Sequence, residues 1–248
     1  MYNIMDPKVL IVFIIIVVLL FIVIGYISRD VNTLTGLTEA TTLQKIDATN
    51  LDSSNPNSSN FTYSIWFYID DWSYKYGKPK VIFGRMTPGS DSNANEPCPS
   101  VILGATQNNM VVSLAVYPTY DNIPDNSVKF VVNKFSVANI SIQKWVNLLV
   151  SVYGRTMDIY IDGKLVRTCV LDGVAKIDTT APLYITPYGG FSGWTSKFQY
   201  WSNETDPQKA WDIYRQGYGG SLLGNLFGKY TVKVSLLENN AEDSSITI

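Results

Sequence analysis

The sequence predicts an all-β fold, a sandwich of two antiparallel sheets, preceded by one transmembrane helix. Three observations predict it. Residues 145–171, WVNLLVSVYGRTMDIYIDGKLVRTCVL, alternate apolar and polar side chains in three runs, the last two joined by Asp162-Gly163. Similar short runs recur along the chain between Gly, Pro and Asn clusters, the spacing of a sandwich or barrel. Residues 9–27 carry no charge and are almost wholly aliphatic.

That apolar stretch comes first in chain order, behind a short tail of residues 1–8. As a helix it would run about 28 Å, close to the roughly 30 Å hydrocarbon core of a bilayer. It is longer than a signal-peptide core of about 7–15 residues, and no small-residue cleavage site follows it. A retained single-pass anchor in a lipid bilayer is therefore expected. Lys8 and Asp6 on one flank balance Arg29 and Asp30 on the other, so charge does not set its orientation.

Residues 28–60 turn to Thr, Ser, Asn and Asp, read as a polar stalk with a first short strand near 43–48. Residues 61–69 then alternate, with Phe61, Tyr63, Ile65, Phe67 and Ile69 on one face and Thr62, Ser64, Trp66 and Tyr68 on the other. Further strands are expected at 81–85, 100–105, 110–117, 128–132, 183–186 and 196–201. In the 145–171 run the Asp-Gly pair supplies the two positive-φ positions of a tight hairpin. Setting Ile161 opposite Lys164 places Tyr160 against Leu165, Ile159 against Val166 and Asp158 against Arg167. One face then carries Met157, Ile159, Ile161 and Val166.

A short helix follows, capped by Asp206, with Pro207 at its first position and Gly217 at its end. Ala210, Trp211 and Tyr214 form its expected buried stripe. Residues 219–248 read as an extension with one strand at 230–236 and a frayed polar tail.

Composition narrows the function. The chain has 248 residues, 46% hydrophobic and 16% charged, and a net charge of −2, so nothing favours nucleic acid as a partner. It has no histidine, which removes the commonest general base and metal ligand and excludes Ser-His-Asp or Cys-His catalysis. Cys98 and Cys169 form no metal spacing; whether they pair or stay free is open.

The order FTYSIWFYIDDW, KVIFGR, DIYIDGKLV, GGFSGWTSKFQYW and DPQKAWDIYRQG resembles the concanavalin A-like jelly roll in its laminin-G-like form. Together with PCPSVILGATQNNMVVSL, the set is similar to membrane-anchored versions encoded by large double-stranded DNA viruses of algae and protists. The resemblance covers about 61–217 and implies a jelly roll over 61–218, with a carbohydrate or protein partner at its loop edge or concave face.

Glycosidases of that architecture carry an E-x-D-x-x-E strand, which this chain lacks. Glycoside cleavage needs two carboxyls about 5–10 Å apart. Asp70 and Asp71 are adjacent on a strand and point to opposite faces, so their expected role is to end it. No enzyme activity is expected.

No cofactor is assigned. The loops 91–96 and 121–126 hold enough Asp and Asn oxygens for Ca²⁺, but those residues are equally the ordinary material of turns. For sugar binding the best aromatic candidates are Trp194 and Trp72, although packing is the commoner use of such rings. Asp162 and Gly163 are assigned a structural turn. Sequons at Asn57, Asn60, Asn139 and Asn203 matter only if the domain is lumenal.

Two function classes follow. The first is a non-catalytic structural protein of a virion, a minor capsid or membrane-associated component linking an internal membrane to capsid proteins. The second is a lectin-like module displayed on a membrane, binding glycans or a receptor.

Overall fold

The computed structural model describes residues 16, 17, 19, 20, 31–51, 59–86, 97–118, 130–219, 233–238 and 241–247. Asn32–Tyr218 form one compact unit; Met1–Val31 and Gly219–Ile248 form another. Of the expected anchor, residues 16, 17, 19 and 20 are helical and the rest lies outside the described residues. Among the described residues no helix is long and apolar enough to cross a membrane.

The larger unit is an antiparallel two-sheet sandwich. Its first sheet has the order β1 (Thr38–Glu39), β13 (Ser192–Trp201), β3 (Phe61–Asp71), β8 (Trp145–Tyr153), β9 (Thr156–Ile161), β10 (Lys164–Val170). The second has β11 (Gly173–Ala175), β6 (Asn109–Pro118), β5 (Pro97–Leu103), β4 (Lys80–Met86), β12 (Leu183–Ile185), β2 (Gln44–Ile46), with β7 (Val131–Ala138) also paired to β6.

The period-two pattern explains the core. Phe61, Tyr63, Ile65, Phe67 and Ile69 of β3 all point between the sheets, into one core with Val101, Val112, Leu114 and Leu183. Phe198 of β13 stands 5.2 Å from Phe83 of β4 and 5.8 Å from Tyr63, joining the layers through tilted and edge-on rings. Arg85 is buried among them; its Nε donates to Ala181 O (3.2 Å) and its Nη1 to the Tyr63 hydroxyl (3.4 Å).

The outer face of this sheet is covered as well. Helix α1 (Pro207–Arg215) lays Ala210 and Ile213 on Leu149 and Tyr160, with Trp201 beside them. Trp66 stacks on Tyr214 (5.5 Å) and Trp145 on Tyr218 (4.3 Å). The helix is as expected at its ends: Asp206 accepts from Lys209 N (2.7 Å), and Gly217 has positive φ (71°). Its stripe differs, because Ile213 is buried while Trp211 is exposed. Ile213 lies three residues from Ala210 and shares its face, whereas Trp211 is turned about 100° away around the axis.

Several expectations shift. Residues 32–51, expected as stalk, belong to the sandwich: Leu34 N donates to Phe198 O (2.8 Å), Ala40 N to Gly193 O (2.9 Å), and Ala40, Ile46 and Leu51 are buried. Short edge strands hold on through backbone bonds, so polar composition hides them. The strand expected at 128–132 is β7 instead, and Val131, Phe135 and Val137 pack on the core. Residues 128 and 129 lie outside the described residues.

In the smaller unit, β14 (Lys233–Glu238) pairs with β15 (Ala241–Thr247), so part of the tail expected to fray is a second strand. AEDSSIT contributes backbone pairing, which its weak hydrophobic alternation does not reveal.

Asp162 and Gly163 form the expected turn, with φ of 51° and 71°. The Asp162 carboxylate accepts from Asn147 N (3.0 Å) and pairs with Lys144 (3.2 Å). Gly163 also lies against α1: a Cβ there would sit 2.9 Å from Tyr214 Cβ. The hairpin register is as expected for Lys164–Ile161 and Leu165–Tyr160 and then slips. A bulge at Val166 sets Arg167 opposite Ile159 and Thr168 opposite Asp158. Val166 is therefore 47% exposed rather than in the core, and Arg167 turns to β7, donating to Ser136 O (2.6 Å).

Lys80 is an anomaly with a measurable consequence. It is 1% exposed, its Nζ has no hydrogen-bond acceptor among the described residues, and it sits 4.7 Å from the Trp72 ring centroid. Burial lowers its pKa, partly opposed by Asp71. The unfolded chain thus holds a proton more tightly than the folded one, so this group's contribution to stability rises as pH climbs toward the ordinary lysine value of 10.5. Lys80→Met is expected to stabilise the fold at neutral pH by about 1 kcal/mol, lost desolvation outweighing a lost cation–π contact. Urea melts at neutral and alkaline pH check this, and the variant should lose part of the rise.

Candidate functional site

The outer faces of β8 and β9 share one register, Leu149 with Tyr160, Ser151 with Asp158 and Tyr153 with Thr156. Alternation alone brings these polar and aromatic groups to the surface opposite the core. Beside them the segment after β13 turns back over the sheet. Thr205 N donates to Ser151 Oγ (2.8 Å) and Thr62 Oγ1 donates to Asn203 O (2.8 Å), anchoring it before Asp206 starts α1.

Between this segment and the strands opens a cleft of about 370 Å³, lined by Ser151, Tyr153, Thr156, Asp158, Tyr160, Leu165 and residues 204–207. Tyr153 is 62% exposed at its rim, Leu165 also lines it, and Tyr160 forms part of the floor. Three carboxylate residues line it, each steadied by one bond. Asp158 Oδ1 accepts from Thr168 Oγ1 (2.6 Å), Glu204 Oε2 from Asn60 Nδ2 (3.1 Å) and Asp206 Oδ1 from Lys209 N (2.7 Å). Burial first, then the charges of Asp158 and Asp206, raise the pKa of Tyr160 and keep its hydroxyl protonated. An exposed aromatic ring beside several polar groups suits a ligand with one apolar and one hydroxylated face.

The aromatic candidates do not meet. Trp194 is on the outer face of the same sheet, 45% exposed, opposite Tyr68 on β3 and Glu39 on β1. Trp72 is half-buried against the core, and Lys80 covers its ring. The cleft lies on β8–β10, away from both. Asp71 closes β3 as expected, its carboxylate accepting from Ser73 N (2.8 Å) and Ser73 Oγ (2.7 Å), bonds that lower its pKa. Cys98 and Cys169 are free buried thiols, and burial pushes Cys98 up to about 12. Among the described residues no three His, Cys, Asp or Glu side chains are placed to hold a metal ion. The loops 91–96 and 121–126 considered for Ca²⁺ lie outside the described residues.

Residues 42–208 match the family model of the concanavalin A-like lectin/glucanases superfamily in its laminin G form. The chain belongs to this superfamily. Every residue lining the cleft falls inside the match. Among solved structures, the receptor-binding domain of botulinum neurotoxin D is similar in fold, with 12% identity over 74% of this chain and 48% of that one, and a TM-score of 0.50. The serotype D ligand-binding domain in complex with N-acetylneuraminic acid aligns at 13% identity over 74% and 46%, with a TM-score of 0.48. The chain thus spans about half the length of the solved structures it resembles. No curated protein matches it. None of the cleft residues is singled out for binding by sequence reasoning, and Asp158 shows why. Regular strand alternation pairs it with Arg167, and only the bulge at Val166 gives it Thr168 as a partner beside the cleft.

Proposed function

We propose that the chain is a non-catalytic, lectin-like module that binds a glycan in the cleft over β8–β10, displayed at a membrane through residues 9–27. The observation that carries the reading is the cleft itself: in a member of the lectin/glucanase superfamily, an exposed Tyr153 ring stands beside the carboxylates of Asp158, Glu204 and Asp206. A pyranose has an apolar C–H face that packs on such a ring and an edge of hydroxyls that donate to carboxylates. Each carboxylate is engaged in a fixed structural bond, the arrangement of a binding surface. The membrane part of the proposal rests on the sequence of residues 9–27. The alternative, a structural link between a viral internal membrane and a capsid, rests on the sequence resemblance and on sequence features it shares with the lectin reading, the apolar residues 9–27 and the lack of catalytic groups.

The test is a panel of immobilised neutral, amino and sialylated glycans probed with the full-length chain in detergent. Saturable binding is expected, reduced about two- to tenfold by Tyr153→Ala, in line with roughly 0.5–1.5 kcal/mol for a stacked ring. Tyr153 is exposed, so the variant should keep the wild-type melting curve. Absence of binding to every glycan overturns the proposal, and release of new reducing ends from a bound oligosaccharide overturns its non-catalytic part.

A further inference from the structure

The cleft's charge is one-sided. Asp158, Glu204 and Asp206 line it, and no lysine or arginine does. The ion pairs among the described residues, Lys45–Asp47 and Lys144–Asp162, involve none of the three. A second observation points to a ligand. Tyr160 is 1% exposed and lines the cleft, yet its hydroxyl makes no hydrogen bond among the described residues. Asp158 and Asp206 line the same cleft. The carboxylates do not converge on a point, as a metal ion would require. They are spread over β9 and the entrance to α1, as an extended ligand with several donors would require.

We propose that the cleft selects a saccharide bearing a protonated primary amine over its N-acetylated or anionic counterparts. This rests on the glycan reading. An ammonium group brings up to three donors and a positive charge. Along an extended ligand with several such groups, Asp158, Glu204 and Asp206 each accept from an ammonium, and the Tyr160 side chain lines the same cleft. Acetylation removes the charge and leaves one donor, so the same carboxylates gain less. A sialic carboxylate meets like charge and is disfavoured.

Calorimetry with the full-length chain in detergent tests this, using a glucosamine tetramer, its N-acetylated equivalent, sialyllactose and spermidine, at low and high salt below the amine's pKa. The glucosamine tetramer is expected to bind about tenfold more tightly than the acetylated one, with the advantage shrinking at high salt. Asp158→Asn and Tyr160→Phe should each reduce that preference. Equal or tighter binding of the acetylated or sialylated sugar overturns amine selection and leaves glycan binding standing. Binding of spermidine with no sugar bound supports cation selection and overturns the glycan reading. Binding of none overturns both.

Discussion

Gly193→Ala is expected to destabilise the domain by about 3–5 kcal/mol, from backbone strain and overpacking together. Gly193 has φ of +144° opposite a bulge at Asp70 of β3, and a Cβ there would lie 1.8 Å from Tyr68 O and 2.9 Å from Tyr68 C. Both neighbours are backbone of β3, the strand to which β13 is zipped over most of its length, so neither can move without opening the pair. The Gly193 carbonyl also receives Ala40 N, so the damage would spread to the chain beside β1. Gly36→Ala is the control: nothing lies within 4 Å of where its Cβ would sit, and a change within about 0.5 kcal/mol is expected. Urea denaturation of both variants decides the matter. A Gly193→Ala midpoint close to wild type would contradict the close packing of β13 on β3.

The second large effect concerns binding. Asp158→Asn keeps the shape of the side chain and removes its charge. Charge-assisted hydrogen bonds contribute about 1.5–3 kcal/mol, so affinity for a glycan held in the cleft should fall about 10–100-fold. Thr168→Val should weaken binding less, about threefold, because the carboxylate survives but loses its 2.6 Å anchor. Titration calorimetry on variants with wild-type melting curves checks the order. Equal affinity of Asp158→Asn and wild type would remove Asp158 from the site.

Much of the fold is legible in the sequence because its signals are local. The Asp162-Gly163 turn follows from two positive-φ positions between alternating runs, and the inward face of β3 follows from period two. The helix ends are written in Asp206, Pro207 and Gly217. The errors arise where a single residue or a distant partner decides. One extra residue at Val166 shifts every later pairing in β10, and no propensity distinguishes that bulge from a regular strand. β1, β2 and β15 are held by backbone pairing, to which side-chain composition is blind.

The candidate site is less legible for the same reason. Tyr153, Asp158 and Tyr160 read as ordinary strand alternation. Their meeting with residues 204–207 depends on the return of the chain after β13, some fifty residues later in sequence. Aromatic chemistry alone points to Trp72 and Trp194. The core claims Trp72, against which Lys80 packs, while Trp194 remains outside on another strand.

The most direct test of the binding site is hydrogen–deuterium exchange on the full-length chain in detergent, with and without a saturating glycan. Protection confined to peptides covering 151–160 and 204–207 is the predicted result. Protection around Trp194, or in the loops 91–96 and 121–126, with none over β8 and β9, would contradict it.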